Sequence, residues 1–193
     1  MPEARDITVE MDENGLRLMD QAITEPVPLE FLNSLLGAMP RRLDVDPRPW
    51  EKKATGRTYA YDAFGMQIWE DIGRKRIYDL KSFFQVDRSY DWCKNIAEFS
   101  GRATICGVPL KAGMVEKEVL ATMPAMKRRV PGWLRGEFNG QKALLVFARN
   151  KEALASVPHY RRKMIPETLE SLVIGLSPEK RWGTGKLPPE GDV

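Results

Sequence analysis

The chain has 193 residues, of which 42% are hydrophobic and 30% charged, and its formal net charge at pH 7 is +3. The longest apolar run, residues 143–148, is far shorter than the roughly 20 residues that span a bilayer, and the start of the chain lacks the basic and apolar regions of a secretory signal peptide. Two cysteines alone make neither a disulfide framework nor a metal site, so we expect a cytoplasmic globular protein without metal or cofactor.

The first half of the chain predicts a hairpin, a helix and three more strands. Residues 7–11 alternate apolar and polar, and the Asn14-Gly15 turn leads into a returning strand at 16–19. Leucines at helical spacing predict a helix over 29–36 that ends at Gly37. Three prolines and many charges predict an exposed loop over 40–56. Further strands are expected at 58–61, 66–70 and 76–84.

The second half predicts a shorter version of the same order. A polar connector at 87–101 precedes a strand at 102–106, a turn at Gly107 and a helix over 116–123. Asn139-Gly140 lies between two apolar runs and is the strongest hairpin signal in the chain. Residues 168–174 are apolar enough for a strand or a short helix, and the glycine- and proline-rich segment 177–193 is expected to be weakly structured.

A faint internal repeat relates the two halves. Ala38-Met39-Pro40-Arg41-Arg42 closely matches Ala125-Met126-Lys127-Arg128-Arg129. The same offset pairs four apolar positions: Leu18 with Ile105, Ile23 with Leu110, Leu32 with Val119, and Leu36 with Met123. We therefore predict an α+β fold of two related ββα-ββ(β) units with antiparallel sheets and few helices, at 1–86 and 102–176, joined by the connector 87–101.

Residues able to perform chemistry are present but not grouped. His159 is the single histidine, and the acidic pairs Asp44/Asp46 and Glu70/Asp71 accompany no nucleophile or phosphate loop. Asp62, three residues before Gly65, suits a hairpin turn better than catalysis. The sequence therefore predicts a protein that is not an enzyme.

Charge and aromatic residues suggest binding instead. Residues 1–97 hold 14 basic and 17 acidic side chains, whereas the remainder holds 16 and 10. The triplets Lys127-Arg128-Arg129 and Arg161-Arg162-Lys163 could contact phosphates, which leaves a nucleic-acid-associated or regulatory module as an alternative function. Of the tryptophans, Trp69 and Trp133 are expected in the core, and Trp50 and Trp92 partly exposed.

The order of hairpin, proline-flanked leucine helix, long loop, Tyr-x-Tyr-Asp-x-x-Gly and two strands covers residues 7–84, with the most specific matches at 29–37 and 59–65. In this it resembles small cytosolic bacterial immunity proteins of polymorphic and type VI secretion toxins. The resemblance implies a protein that neutralises a cognate toxin by covering its active site. If that toxin is cationic, the acidic first half would meet it, and the expected contact residues are Asp62, Trp69, Glu70 and Asp71.

Overall fold

The computed structural model describes residues 6–43, 56–88 and 91–176, which form two sheets and three α-helices. In chain order the strands are β1 (Thr8–Asp12), β2 (Gly15–Leu18), β3 (Gln21–Ile23), β4 (Arg41–Leu43), β5 (Gly56–Tyr61), β6 (Met66–Asp71), β7 (Arg76–Phe83), β8 (Arg102–Ile105), β9 (Val108–Pro109), β10 (Lys127–Val130), β11 (Trp133–Phe138), β12 (Gln141–Arg149) and β13 (Glu167–Gly175). The helices are α1 (Leu29–Leu36), α2 (Glu116–Thr122) and α3 (Lys151–Ser156), with 3₁₀ turns at Asp62–Phe64, Asp91–Cys93 and His159–Met164. The predicted α+β class with two largely antiparallel sheets and few helices is confirmed.

The smaller sheet has five strands in the order β3-β2-β1-β8-β9, and the larger has eight in the order β10-β11-β12-β13-β7-β6-β5-β4. Among the described strands, only β1 and β8 pair in parallel. This pair differs from the expected all-antiparallel arrangement. It is possible because the chain reaches β8 only after crossing α1 and the whole β4–β7 meander, a connection long enough for a parallel partner.

The two halves have the same connectivity, element by element. The hairpin β2–β3, helix α1 and meander β4–β7 correspond to β8–β9, α2 and β10–β13. The hairpin turns also match, because Met19 and Asp20 have positive φ angles of 50° and 63°, and Cys106 and Gly107 have 49° and 78°. In the smaller sheet, equivalent strands occupy the same position on either side of β1. In the larger sheet, they occupy the same position on either side of the boundary between β7 and β13. The repeat is therefore pseudo-two-fold, with β1 as an additional central strand.

Hydrogen bonds from polar turns join the second unit and the connector to the first unit. The Gln141 side chain of the second unit accepts a hydrogen bond from the Leu16 amide at 2.7 Å and donates one to the Ile23 carbonyl at 2.6 Å. The Ala97 amide of the connector donates to the Asp62 carbonyl at 2.8 Å. Strands of both units also contribute to both sheets, so the two units share one structure.

The main core lies between the two sheets and includes both repeat helices. Leu32 and Leu36 of α1 and Val119 of α2 are buried there. Helix α1 ends as predicted at Gly37, whose φ of 65° lies in the left-handed region. The Gly37 amide donates a hydrogen bond to the Asn33 carbonyl. A second, smaller cluster on the other side of the larger sheet contains Leu43, Ala60, Phe83 and Ile96.

Several expectations require correction. The predicted loop 40–56 contains strand β4 at its start, because this short segment pairs with β5, and residues 44–55, including Asp44, Asp46 and Trp50, lie outside the described residues. The connector 87–101 is not simply polar, since Ile96 and Phe99 are buried. Of the two alternatives for residues 168–174, the strand is the one present, as part of β13. The segment 177–193 and the Trp92 side chain lie outside what the structure describes.

Candidate functional site: the outer face of the larger sheet

We define the outer face as the side of the larger sheet that faces away from the main core. Side chains alternate along a strand, and the register aligns those of neighbouring strands into rows. One row across this face contains Lys127, Arg135, Leu144, Val173, Lys81 and Gln67. A second contains Glu137, Lys142, Gly175, Asp79 and Trp69, and a third contains Val130, Trp133, Val146, Ser171 and Phe83. The second unit therefore gives this face a basic character.

Trp69 lies over glycine on the outer face. A Cβ atom at Gly56 would overlap the Trp69 ring, so the indole rests directly on the β5 backbone. The Tyr78 ring meets it edge-on, with 6.2 Å between centroids and an interplanar angle of 74°. The Tyr78 hydroxyl accepts a hydrogen bond from Arg74 at 2.8 Å. Trp69 is thus half-buried rather than fully in the core.

Two charged groups on β7 are perturbed by burial. Burial raises the pKa of Asp79 to about 7, because desolvation disfavours the carboxylate. Burial also lowers the pKa of Lys81, whose Nζ lies 4.5 Å from the centroid of the Phe83 ring. Neutral and charged forms of Asp79 are therefore both populated near pH 7.

The four predicted contact residues are placed in different environments. The Asp62 carboxylate accepts two hydrogen bonds from Arg41, at 2.7 and 2.9 Å. Glu70 is 8% exposed and accepts from the Tyr59 hydroxyl at 2.9 Å, and Asp71 is 6% exposed and accepts from the Arg74 amide at 2.9 Å. Of the four, Trp69 belongs to the outer face. Their role as partner contacts stays a prediction, but three of these side chains are already bonded within the chain.

The exposed part of the outer face lies mainly on β10 and β11. All four residues of β10 are exposed, while Lys142 and Leu144 on β12 are only 9% and 7% exposed. Trp133 is 39% exposed and is paired across the strands with Val130, which is 37% exposed. The expected core position of Trp133 is wrong, since Leu134 and Phe138 occupy the core side of β11. The alternation of Leu134, Gly136 and Phe138 was the signal that would have placed Trp133 outside.

No arrangement typical of catalysis or metal binding is present among the described residues. They contain no group of three histidine, cysteine, aspartate or glutamate side chains that could hold a metal. His159 is exposed on a 3₁₀ turn. The Ser171 hydroxyl is buried and forms no hydrogen bond, so no neighbouring base activates it. A cavity of about 230 Å³ lies at the end of β7, but Arg88 in its wall donates to the backbone carbonyls of Lys94 and Ile96.

Comparisons of the chain with protein-family models, curated proteins and solved structures found no match. Within the described residues, none of the helices has the length and apolar character needed to cross a membrane.

Proposed function

We propose that this chain is a non-enzymatic binding protein of the bacterial cytoplasm that neutralises a cognate secreted toxin by covering its active site. The observation that carries the proposal is the continuous eight-stranded sheet, whose outer face combines Trp69 and Trp133 with exposed charge. Aromatic anchors surrounded by charged residues are typical of protein interfaces.

The exposed part of the outer face is where a partner would bind. The sheet has eight strands at a spacing of about 4.8 Å and is roughly 34 Å wide. Its exposed side chains lie mainly on β10 and β11, so the contact would be centred there. Because the strands come from both units, the platform needs the whole fold.

The test is a growth assay in which the toxin encoded beside this chain is expressed with and without it. We expect the chain to restore growth and to co-purify with the toxin, and an unrelated toxin of the same activity to remain lethal. Loss of growth despite soluble expression of this chain, with no complex recovered, would overturn the proposal.

The second candidate function is a nucleic-acid-associated or regulatory module. It is favoured by the exposure of both basic triplets, Lys127-Arg128-Arg129 and Arg161-Arg162-Lys163. Binding through several phosphate contacts would weaken steeply as salt concentration rises. Titration of a DNA or RNA duplex at two salt concentrations therefore separates this candidate from the first.

A further inference from the structure

We infer that one end of the larger sheet docks an acidic, partly apolar segment of the protein partner. This inference rests on the proposed function and names the surface and chemistry that carry it. We call this surface the basic end and define it by six exposed residues: Lys127, Arg129, Trp133, Tyr160, Arg162 and Met164.

The two parts of the basic end are distant in sequence but close in the fold. Arg149 donates a hydrogen bond to the Ile165 carbonyl at 3.2 Å and forms an ion pair with the Glu167 carboxylate at 3.4 Å. These contacts hold the end of the 3₁₀ turn His159–Met164 against the ends of β12 and β13. A Cβ at Gly132, in the β10–β11 turn, would lie 3.6 Å from that same carboxylate. Both basic triplets thus lie at the same end of the sheet.

Lys127 and Arg162 are exposed at this end and have no ion-pair partner among the described residues. Arg128 is paired with Glu116 and Arg149 with Glu167. Lys127 and Arg135 are direct cross-strand partners, an arrangement of like charges that destabilises a sheet unless another group compensates it. An acidic segment lying along β10 and β11 would supply that compensation.

The apolar residues distinguish this surface from an ordinary protected sheet edge. Positive charge on an edge strand prevents aggregation, and Lys127 and Arg129 alone would serve that purpose. That purpose does not explain the exposure of Tyr160, Met164 and Trp133, which is 73%, 79% and 39%. Tryptophan, tyrosine, methionine and arginine are the residues enriched at interface centres.

The same surface suits protein better than nucleic acid. An acidic peptide can place its carboxylates on the basic groups and its apolar side chains against Trp133. Nucleic acid lacks aliphatic side chains to cover Val130 and Met164.

The experiment measures fluorescence anisotropy with three probes at physiological salt: a twelve-residue peptide of alternating glutamate and leucine, its glutamine counterpart, and a twelve-nucleotide single-stranded DNA. The proteins are the full chain, the double variant Lys127→Glu/Arg162→Glu, the variant Trp133→Ser, and a control with the same charge change on the smaller sheet side, Arg17→Glu/Lys111→Glu. Far-UV circular dichroism and thermal unfolding establish that each variant is folded.

We expect the full chain and the control to bind the glutamate peptide at least tenfold more tightly than the double variant does. Trp133→Ser should weaken binding severalfold, and the glutamine peptide should not bind. Failure of the glutamate peptide to bind the full chain, or equal binding by the double variant and the control, overturns the inference. Tighter binding of the DNA than of the peptide, lost in the double variant, would assign the surface to nucleic acid instead.

The growth assay separates this inference from the proposed function. If the double variant restores growth as well as the full chain does, the partner binds elsewhere and the basic end is not its docking surface. If the full chain itself fails to restore growth, the proposed function fails, whatever the peptide does.

Discussion

At the scale of single residues, Gly65 combines a left-handed backbone conformation with close contact to a neighbouring backbone segment. Its φ is +65°, and a Cβ there would lie 2.6 Å from the Glu98 carbonyl carbon and would also overlap the Phe99 amide. Gly107 has a similar φ of +78° but nothing within 4 Å. Both alanine variants lose about 1 kcal/mol from the left-handed conformation. Only Gly65→Ala also forces two backbone segments apart.

We therefore expect Gly65→Ala to lower the free energy of unfolding by at least about 2 kcal/mol more than Gly107→Ala does. Urea denaturation of both variants measures this difference directly. Equal losses would mean that the 97–99 segment does not pack against this turn.

Asp79 predicts a pH dependence of stability. Because burial raises its pKa to about 7 in the folded protein, the folded state keeps a proton that the unfolded state releases near pH 4. The contribution of Asp79 to the free energy of unfolding is therefore greatest below pH 4 and falls as the pH rises to about 7. Asp79→Asn removes this dependence.

The unfolding free energy of Asp79→Asn minus that of the unaltered chain should rise by about 3 kcal/mol from pH 4.5 to 7 and then level off, because only the unaltered chain loses stability over this range. Urea denaturation at several pH values measures it. Glu137→Gln, on the same face but exposed, is the control and should show no such trend. Parallel profiles for Asp79→Asn and the unaltered chain would contradict the assigned burial.

At the scale of elements, Gln141 fastens the second unit's hairpin to β2 and β3. Gln141→Leu keeps most of the side-chain volume but leaves the Leu16 amide and the Ile23 carbonyl buried without partners. We expect a loss of about 2–4 kcal/mol in unfolding free energy. Asn139→Asp, which removes one exposed bond to the Asn14 carbonyl, should lose less than about 1 kcal/mol. Equilibrium unfolding compares the two, and similar losses would contradict the fastening role.

The sequence predicted the elements that depend on local signals. Helix α1 and its Gly37 end, and the Asn139-Gly140 hairpin with φ angles of 47° and 76°, follow from residues adjacent in the chain. The short strands β3 and β4 were missed because their partner strands, more than their own three residues, define them. The parallel β1–β8 pair depends on contacts across most of the chain, which no local pattern encodes.

The candidate site was harder to predict for the same reason. Trp69 and the two basic triplets were identified from residue type alone. The burial of Glu70 and Asp71 depends on Tyr59 and on the 72–75 turn, which fold against them. The bond from Arg149 to the Ile165 carbonyl, at the end of the 3₁₀ turn His159–Met164, joins the ends of β12 and β13 and depends on their register. A single sequence carries little signal for such contacts.

At the scale of the whole molecule, the two units have the same arrangement of strands and helices but different surface residues. The two units supply equivalent strands to both sheets, and hydrogen bonds from polar turns join the second unit and the connector to the first unit. On the outer face the equivalence is lost, because the first unit contributes half-buried Trp69 and the second contributes the exposed, basic β10–β11 pair. We therefore expect one partner to meet two different halves of a single platform.

The most direct test is to mix this chain with the product of its neighbouring gene, the proposed toxin. The mass of any complex is measured by light scattering after size-exclusion chromatography, and the activity of the proposed toxin is assayed in the same fractions. The account predicts a complex of one chain with one toxin in which the toxin's activity is lost. Separate elution of the two proteins, or a complex in which the toxin stays fully active, would contradict it.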